Sequence, residues 1–155
     1  DPLLGRWYRG RLTASVAGGR KRKRYVKAVD ARGVTIVNEP VVAEILSASG
    51  YETFEPATAT VREQIEAFAN ASHVIGGTSE GLTNLLFAAP ETVVVELRAV
   101  NWLAMGGAMH FERVAAACEQ RYTAVDCPLA SSDLAETTPV YVDPSRLREL
   151  LETQA

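Results

Sequence analysis

The residues able to do chemistry concentrate in one stretch of this sequence, His73 to Leu97, where small, polar and acidic side chains interrupt two apolar runs. The first run, His73 to Ile75, stops at Gly76-Gly77. Thr78, Ser79, Glu80 and Gly81 follow, and Leu82, Leu85 and Leu86 resume at helical spacing before the second run, Val93 to Val95. The pattern reads as strand, glycine turn, helix, strand. A loop that leaves the carboxyl end of a parallel strand and opens a helix offers unpaired amides and the positive end of the helix dipole, which suits a phosphate. Gly76 and Gly77, with Gly81 beyond them, would give the close backbone approach and positive φ that a phosphate-cradling loop needs. Thr78 and Ser79 either bond phosphate oxygens or cap the helix. Asn84, one helical turn further, either reaches the ligand or stays on the helix surface. Glu96 ends an apolar strand on the same edge, where its carboxylate can accept both hydroxyls of a ribose or pair with Arg98.

Two side chains are candidate general bases. His110 stands early in a helix that follows Gly106-Gly107, on the ligand edge, and Glu80 stands at the opening of the glycine-turn helix. His73 begins a buried strand away from the turn and reads as structural. Cys118 and Cys127 lack partners at metal-ligand or redox-motif spacing, so they read as buried thiols in a reducing compartment, and no metal site is expected.

The elements that must position these groups can be taken in order. Residues 1–24 read as an irregular basic segment ending in Arg20-Lys21-Arg22-Lys23-Arg24. That run is either a solvated loop blunting a sheet edge or an electropositive rim for a nucleotide diphosphate or an anionic membrane face. Tyr25 to Val29 reads as a strand, Asp30 to Gly33 as a turn, and Val34 to Val37 as an extension of the sheet edge. Asn38 is the expected N-cap of a helix with Glu39 and Pro40 in its first turn, Val41, Val42, Ile45 and Leu46 on one face, and Gly50 as its stop. Tyr51 to Phe54 is a short strand. Thr60 and Glu63 make a capping box for a helix with the stripe Val61, Ile65 and Phe68. After the second apolar run come a loop through Asn101 and Trp102, a helix from about Ala108 to Glu119, and a strand at Tyr122 to Val125. A polar linker over residues 128–139, a strand at Val140 to Val142 and a helix opened by Asp143-Pro144 complete the chain.

Strands alternating with helices of about ten residues predict an α/β fold, a three-layer α/β/α Rossmann-like domain with a mainly parallel sheet over residues 25–155. The chain, 155 residues long, fits one domain, and its net charge of −3 gives no general case for nucleic acid. No apolar stretch approaches the roughly 20 residues of a membrane helix. The expected location is cytoplasmic, at most peripheral to a membrane. Because the chain opens on Asp1, residues 1–24 are expected to be the remnant of a connection to a missing N-terminal lobe.

Several segments then carry a resemblance. Ile-Val-Asn-Glu at 36–39, Arg62-Glu63-Gln64, Val-Ile-Gly at 74–76, Gly-Leu-Thr-Asn-Leu-Leu-Phe at 81–87 and Val-Glu-Leu at 95–97 resemble glycosyltransferase family 61, in order over about Tyr25 to Leu151. This is the family of capsular-polysaccharide, xylan and EGF-domain O-linked N-acetylglucosamine transferases. The resemblance implies one lobe of a GT-B enzyme, the lobe that binds a nucleotide-diphosphate sugar, here through Gly76, Gly77, Thr78, Ser79, Gly81, Asn84, Glu96 and Asn38. It also implies inverting transfer to a glycan or polysaccharide acceptor without an obligatory metal. The chain departs from the family pattern where Gly77-Thr78-Ser79-Glu80-Gly81 replaces Pro-His-Gly-Ala-Gly: Thr78 takes the histidine position, and Glu80 places a carboxylate beside the helix opening. The arginine common at the end of the first strand is Ala28. The alternative class is a non-catalytic nucleotide-binding or assembly domain of a polysaccharide synthesis complex, and a basic-loop nucleic-acid binder is a weaker third.

Overall fold

Parallel strands covered by helices on both faces read as near-continuous apolar runs, as Val74-Ile75 and Val93 to Val95 do here. The computed structural model describes residues 2–16, 18–19, 21–27, 33–100, 110–131 and 138–154. Five strands, β1 (Arg22–Val26), β3 (Tyr51–Phe54), β4 (Ala71–Gly77), β5 (Val93–Ala99) and β6 (Arg121–Cys127), form one all-parallel sheet in the order β3-β1-β4-β5-β6. Along each strand, alternate residues enter two separate cores. Tyr25, Ile75, Val95, Leu97 and Val125 pack with Val42, Ile45 and Leu46 of α2 (Glu39–Ala48) and Leu147 and Leu151 of α5 (Pro144–Thr153). Val26, Val74 and Val94 pack instead with Phe68 of α3 (Val61–Ala69), with Leu82 and Leu85, and with Phe111 and Val114 of α4 (His110–Ala117). Phe68, Leu82 and Leu85 are fully buried, each worth about 1.5–3 kcal/mol of transfer free energy. The expected three-layer, Rossmann-like α/β architecture is therefore present.

Several local expectations are corrected. Residues expected to be irregular form α1 (Pro2–Thr13), which packs across α3, α4 and the segment after β4. The described part of the basic run does not lie on a sheet edge: Lys21 precedes β1, and Arg22, Lys23 and Arg24 begin it, in the interior of the sheet. Arg22 and Arg24 both pair with Glu52 on β3, at 2.8 and 2.9 Å, and Lys23 lies 5.4 Å over the Tyr51 ring. These groups sit at the amino ends of the strands, opposite the edge where a ligand of such a sheet would bind, so they make no rim there. β2 (Val34–Ile36) does not extend the main sheet; it pairs in parallel with β7 (Thr138–Val140), which begins inside the expected linker.

Asn38 precedes α2 but makes no side-chain cap. Its amide instead donates from Nδ2 to the Val142 carbonyl at 2.8 Å and accepts from the Val142 amide at 3.0 Å, which fastens the start of α2 to the irregular connection between β7 and α5, since the expected strand at Val140 to Val142 ends at Val140. Gly50, at φ +82, stops α2 as expected. The Thr60–Glu63 capping box is present with both of its bonds. Val41 and Val61, expected on apolar faces, are 43% and 71% exposed.

The glycine turn is displaced. Gly76 and Gly77 are the last residues of β4, paired with Val26 and with Glu96 and Leu97, and neither has positive φ. Glycine at 76 answers a different need: a Cβ there would lie 2.9 Å from the Val26 carbonyl oxygen. The helix after the turn is a 3₁₀ helix, Glu80–Phe87, rather than an α-helix. Its buried residues Leu82 and Leu85 and the buried Ala88 beyond it recur every three positions, the 3₁₀ period, while Leu86 faces solvent. The strand end at Val29, the position of Ala28, most of the turn at 30–33 and the loop through Asn101, Trp102 and Gly106-Gly107 lie outside the described residues.

Candidate functional site

In an open parallel sheet, ligands bind at the carboxyl ends of adjacent strands whose connections leave to opposite sides. Here those strands are β1 and β4. β1 connects through α2 to β3 on one side, whereas β4 connects through the 3₁₀ helix to β5 on the other. α2, the 3₁₀ helix and α4 all begin at this edge.

Backbone closes part of the crevice. Gly33, at φ +134, forms an antiparallel bridge with Ser79, and the Val34 amide donates to the Thr78 carbonyl at 2.9 Å. The Thr78 amide donates to the Leu97 carbonyl at 3.0 Å, so it is not left for a ligand. Only glycine fits at 33, since a Cβ would stand 2.2 Å from the Thr78 oxygen.

A polar ladder crosses the face that carries α3 and α4. Strand alternation puts Thr78, Glu96, Tyr122, Arg98 and Asp126 on that face. Glu96 is 4% exposed, and its two oxygens are each held by a buried or half-buried hydroxyl. Thr78 Oγ1 donates to Oε1 at 2.5 Å, and the Tyr122 hydroxyl donates to Oε2. Burial, and then the Glu96 carboxylate, pushes the Tyr122 phenol well above its ordinary value, so it stays a donor throughout the neutral range. Arg98 does not pair with Glu96; it donates to Asp126, directly opposite on β6, at 2.7 Å, and that bond holds its guanidinium protonated.

On the other side of the crevice, Lys27 leaves β1 between Glu39 at 3.7 Å and Glu55 at 3.5 Å. The Tyr25 hydroxyl donates to Glu39 at 3.3 Å. Burial, followed by Glu39, raises the Tyr25 pKa.

The residues expected at the site therefore fall into distinct groups. Gly76, Gly77, Thr78 and Ser79 are buried, while Glu80 faces solvent at the start of the 3₁₀ helix and Gly81 is half-buried. Gly81 packs against Val26 and Pro56, where a Cβ would meet their side chains at 3.0 and 3.1 Å. Asn84 turns to α3: its Nδ2 donates to Gln64 Oε1 at 2.9 Å and to the Gly81 carbonyl at 3.2 Å. Asn38 stands at the start of α2, bonded to Val142. His110 is exposed at the start of α4. His73 lies toward the amino end of β4, edge-on to Tyr51 at 6.3 Å, with its pKa lowered first by burial. Both cysteines are free and buried, and burial raises the pKa of both thiols, that of Cys127 to about 11.

Ser79 is the caps residue of the 3₁₀ helix, yet its side chain makes no cap bond. The residue is 4% exposed and Oγ has no hydrogen-bond partner among the described residues. Among the described residues, no group of three or more His, Cys, Asp or Glu side chains is placed to hold a metal ion. Among the described residues no helix is long and apolar enough to cross a membrane.

Sequence reasoning missed Tyr122, the Arg98–Asp126 pair, and Lys27 between two carboxylates. Each depends on register between strands or on helix starts far apart in the chain. The period of two along β5 does place Glu96 and Arg98 on one face, and that signal was available.

The family model described as Glycosyltransferase 61 matches residues 11–95, just over half of the chain, from the end of α1 through β4 and the 3₁₀ helix into β5. Comparison with the curated proteins finds no match.

Proposed function

Because the chain belongs to glycosyltransferase family 61, we propose that it is the part of a glycosyltransferase that binds the nucleotide-sugar donor, and that the donor lies at the carboxyl edge of β1, β4 and β5. One observation carries this reading: the family match covers the two strands, β1 and β4, whose connections part to opposite sides, so the family's own segment builds the crevice. The start of the 3₁₀ helix, with the buried hydroxyl of Ser79, would take an oxygen of the diphosphate. Arg98 and Lys27 supply positive charge at the same edge, each shared with carboxylates. Asn38, Gly81 and Asn84 would shape the walls through the contacts they already make.

In the inverting transfer that the family resemblance implies, an acceptor hydroxyl on a glycan or polysaccharide attacks the anomeric carbon. A base takes its proton as the bond to the nucleoside diphosphate breaks, and the diphosphate leaves with the bonding pair. Glu80 and His110 are the exposed groups at this edge that could serve. No metal is required in this reading, and a second lobe would hold the acceptor.

A second reading, a nucleotide-binding or assembly domain without catalysis, is favoured by one observation. The exposed carboxylate of Glu80 begins the 3₁₀ helix where a diphosphate would lie, and it opposes the further negative charge that a leaving diphosphate gains in transfer. The two readings separate by experiment. Uridine, guanosine and cytidine diphosphates are tested for a rise in Tm, with Ser79→Ala as the control, and sugar-nucleotide turnover is then measured with Glu80→Gln and His110→Ala. A nucleotide-dependent rise lost in Ser79→Ala supports donor binding, and turnover lost in either base variant supports catalysis. Binding without turnover supports the second reading, and no rise with any nucleotide removes the first.

A further inference from the structure

The Thr78–Glu96–Tyr122 ladder runs diagonally across three neighbouring strands, with Thr78 two residues beyond the β4 position opposite Glu96. Thr78 belongs to the turn after β4, Glu96 to β5 and Tyr122 to β6, two residues before the position opposite Glu96. A carboxylate withdrawn from water is costly unless its lone pairs are satisfied, and here two hydroxyls bond its two oxygens. The result is a directional strap. Tyr122 fixes Glu96, Glu96 fixes Thr78, and Thr78 is covalently followed by Ser79, whose buried hydroxyl lacks a partner among the described residues.

The strap also acts where the backbone is already constrained. The Thr78 amide and carbonyl are both bonded, to Leu97 and Val34, so the side-chain bond to Glu96 removes the remaining freedom of the residue. Ser79 then leaves the strand at φ −157 and ψ 163, extended, and its Oγ stays beside Gly81, within 3.6 Å of where a Cβ would stand there. A buried hydroxyl without a protein partner costs free energy. A turn held rigidly enough to keep that cost is prepared for a ligand oxygen.

We propose that Tyr122 and Glu96 are positioning residues that act through Thr78 to hold the Ser79 hydroxyl in place for an oxygen of the donor's diphosphate. This rests on the donor-binding reading above. Neither Tyr122 nor Glu96 need touch the nucleotide.

The test compares nucleoside diphosphate affinity, by calorimetric titration with uridine, guanosine and cytidine diphosphates, with Tm for each variant. Tyr122→Phe removes one oxygen and keeps the ring, and Thr78→Val keeps the shape and removes the hydroxyl. Both are expected to weaken the best nucleotide about tenfold, as for loss of one hydrogen bond to a charged group. Thr78→Ser, which keeps the hydroxyl, recovers most of the affinity lost in Thr78→Val. The titrations are made well below each variant's Tm, so that all chains are folded. A merely structural strap would lower Tm and leave the affinity of the folded protein unchanged; that outcome, with affinity still lost in Ser79→Ala, overturns the positioning role and leaves the donor site standing. A wild-type chain that binds none of the three nucleotides overturns both.

Discussion

Gly33→Ala tests how the crevice is stitched. Two penalties combine at this position. The residue sits at φ +134, where an L side chain is strained by about 1–3 kcal/mol. The new Cβ would also lie 2.2 Å from the Thr78 carbonyl oxygen, which is backbone and cannot swing aside as a side-chain tip can. Reaching ordinary contact means moving that oxygen by more than an ångström, enough to break its bond from the Val34 amide, now 2.9 Å. A buried backbone group left unpaired costs about 1–3 kcal/mol more. The expected loss is about 3–5 kcal/mol. Gly50→Ala is the matched control, because Gly50 is also at positive φ, +82, but nothing stands within 4 Å of its Cβ direction. It should lose only about 1–2 kcal/mol, the left-handed penalty alone. Urea unfolding at constant m-value reads both. Equal losses in the two variants would refute the account of the Gly33–Ser79 bridge.

Other outcomes follow from the same geometry. Thr60→Ala removes the bond from the Glu63 amide to Thr60 Oγ1 but keeps the one from the residue-60 amide to the Glu63 carboxylate, and should cost about 1 kcal/mol by urea unfolding, with α3 fraying first in hydrogen exchange. Asn38→Ala should cost about 1–3 kcal/mol, more than an exposed cap would, because the Val142 amide and carbonyl both lose their partner. Native Cys118 and Cys127 should resist alkylation at pH 8 and react once the chain is unfolded, since burial raises both thiols. The folded-state pKa of His73 lies below its unfolded value, so the unfolded chain binds the extra proton first. Its contribution is full above about pH 6.5 and falls away as the pH drops through that value. Tm should fall between pH 7.5 and 5.5, and His73→Gln should flatten the slope; an unchanged slope would contradict the assignment.

The fold was legible wherever one strand or helix carries its own pattern. Val93 to Val95 and Val74-Ile75 announce strands buried on both faces, and Thr60 with Glu63 or Asp143 with Pro144 announce helix starts by local chemistry. Legibility failed where neighbours decide. Arg22 to Arg24 look like a solvated charge run, but Glu52 on the adjacent strand pairs with both arginines and Lys23 lies over the Tyr51 ring, which lets a basic segment enter the sheet. α1 carries arginines and glycines with weak periodicity, and it is seated by packing on α3, α4 and the 3₁₀ helix. Leu82, Leu85 and Leu86 fit the α period, and only the burial of Ala88 in place of Leu86 selects the tighter one. Glu96 was legible as a polar residue out of place in an apolar strand. Its partners, Thr78 and Tyr122, depend on the register of three strands, which no single segment encodes.

The most direct measurement is a backbone amide NMR titration with uridine, guanosine and cytidine diphosphates. If the donor lies at the carboxyl edge, the shifts concentrate at residues 77–82, 96–98 and 33–39, and they disappear in Ser79→Ala. Shifts gathered instead around Arg22, Glu52 and Ser72 at the opposite ends of the strands, or no shifts with any of the three nucleotides, would contradict it.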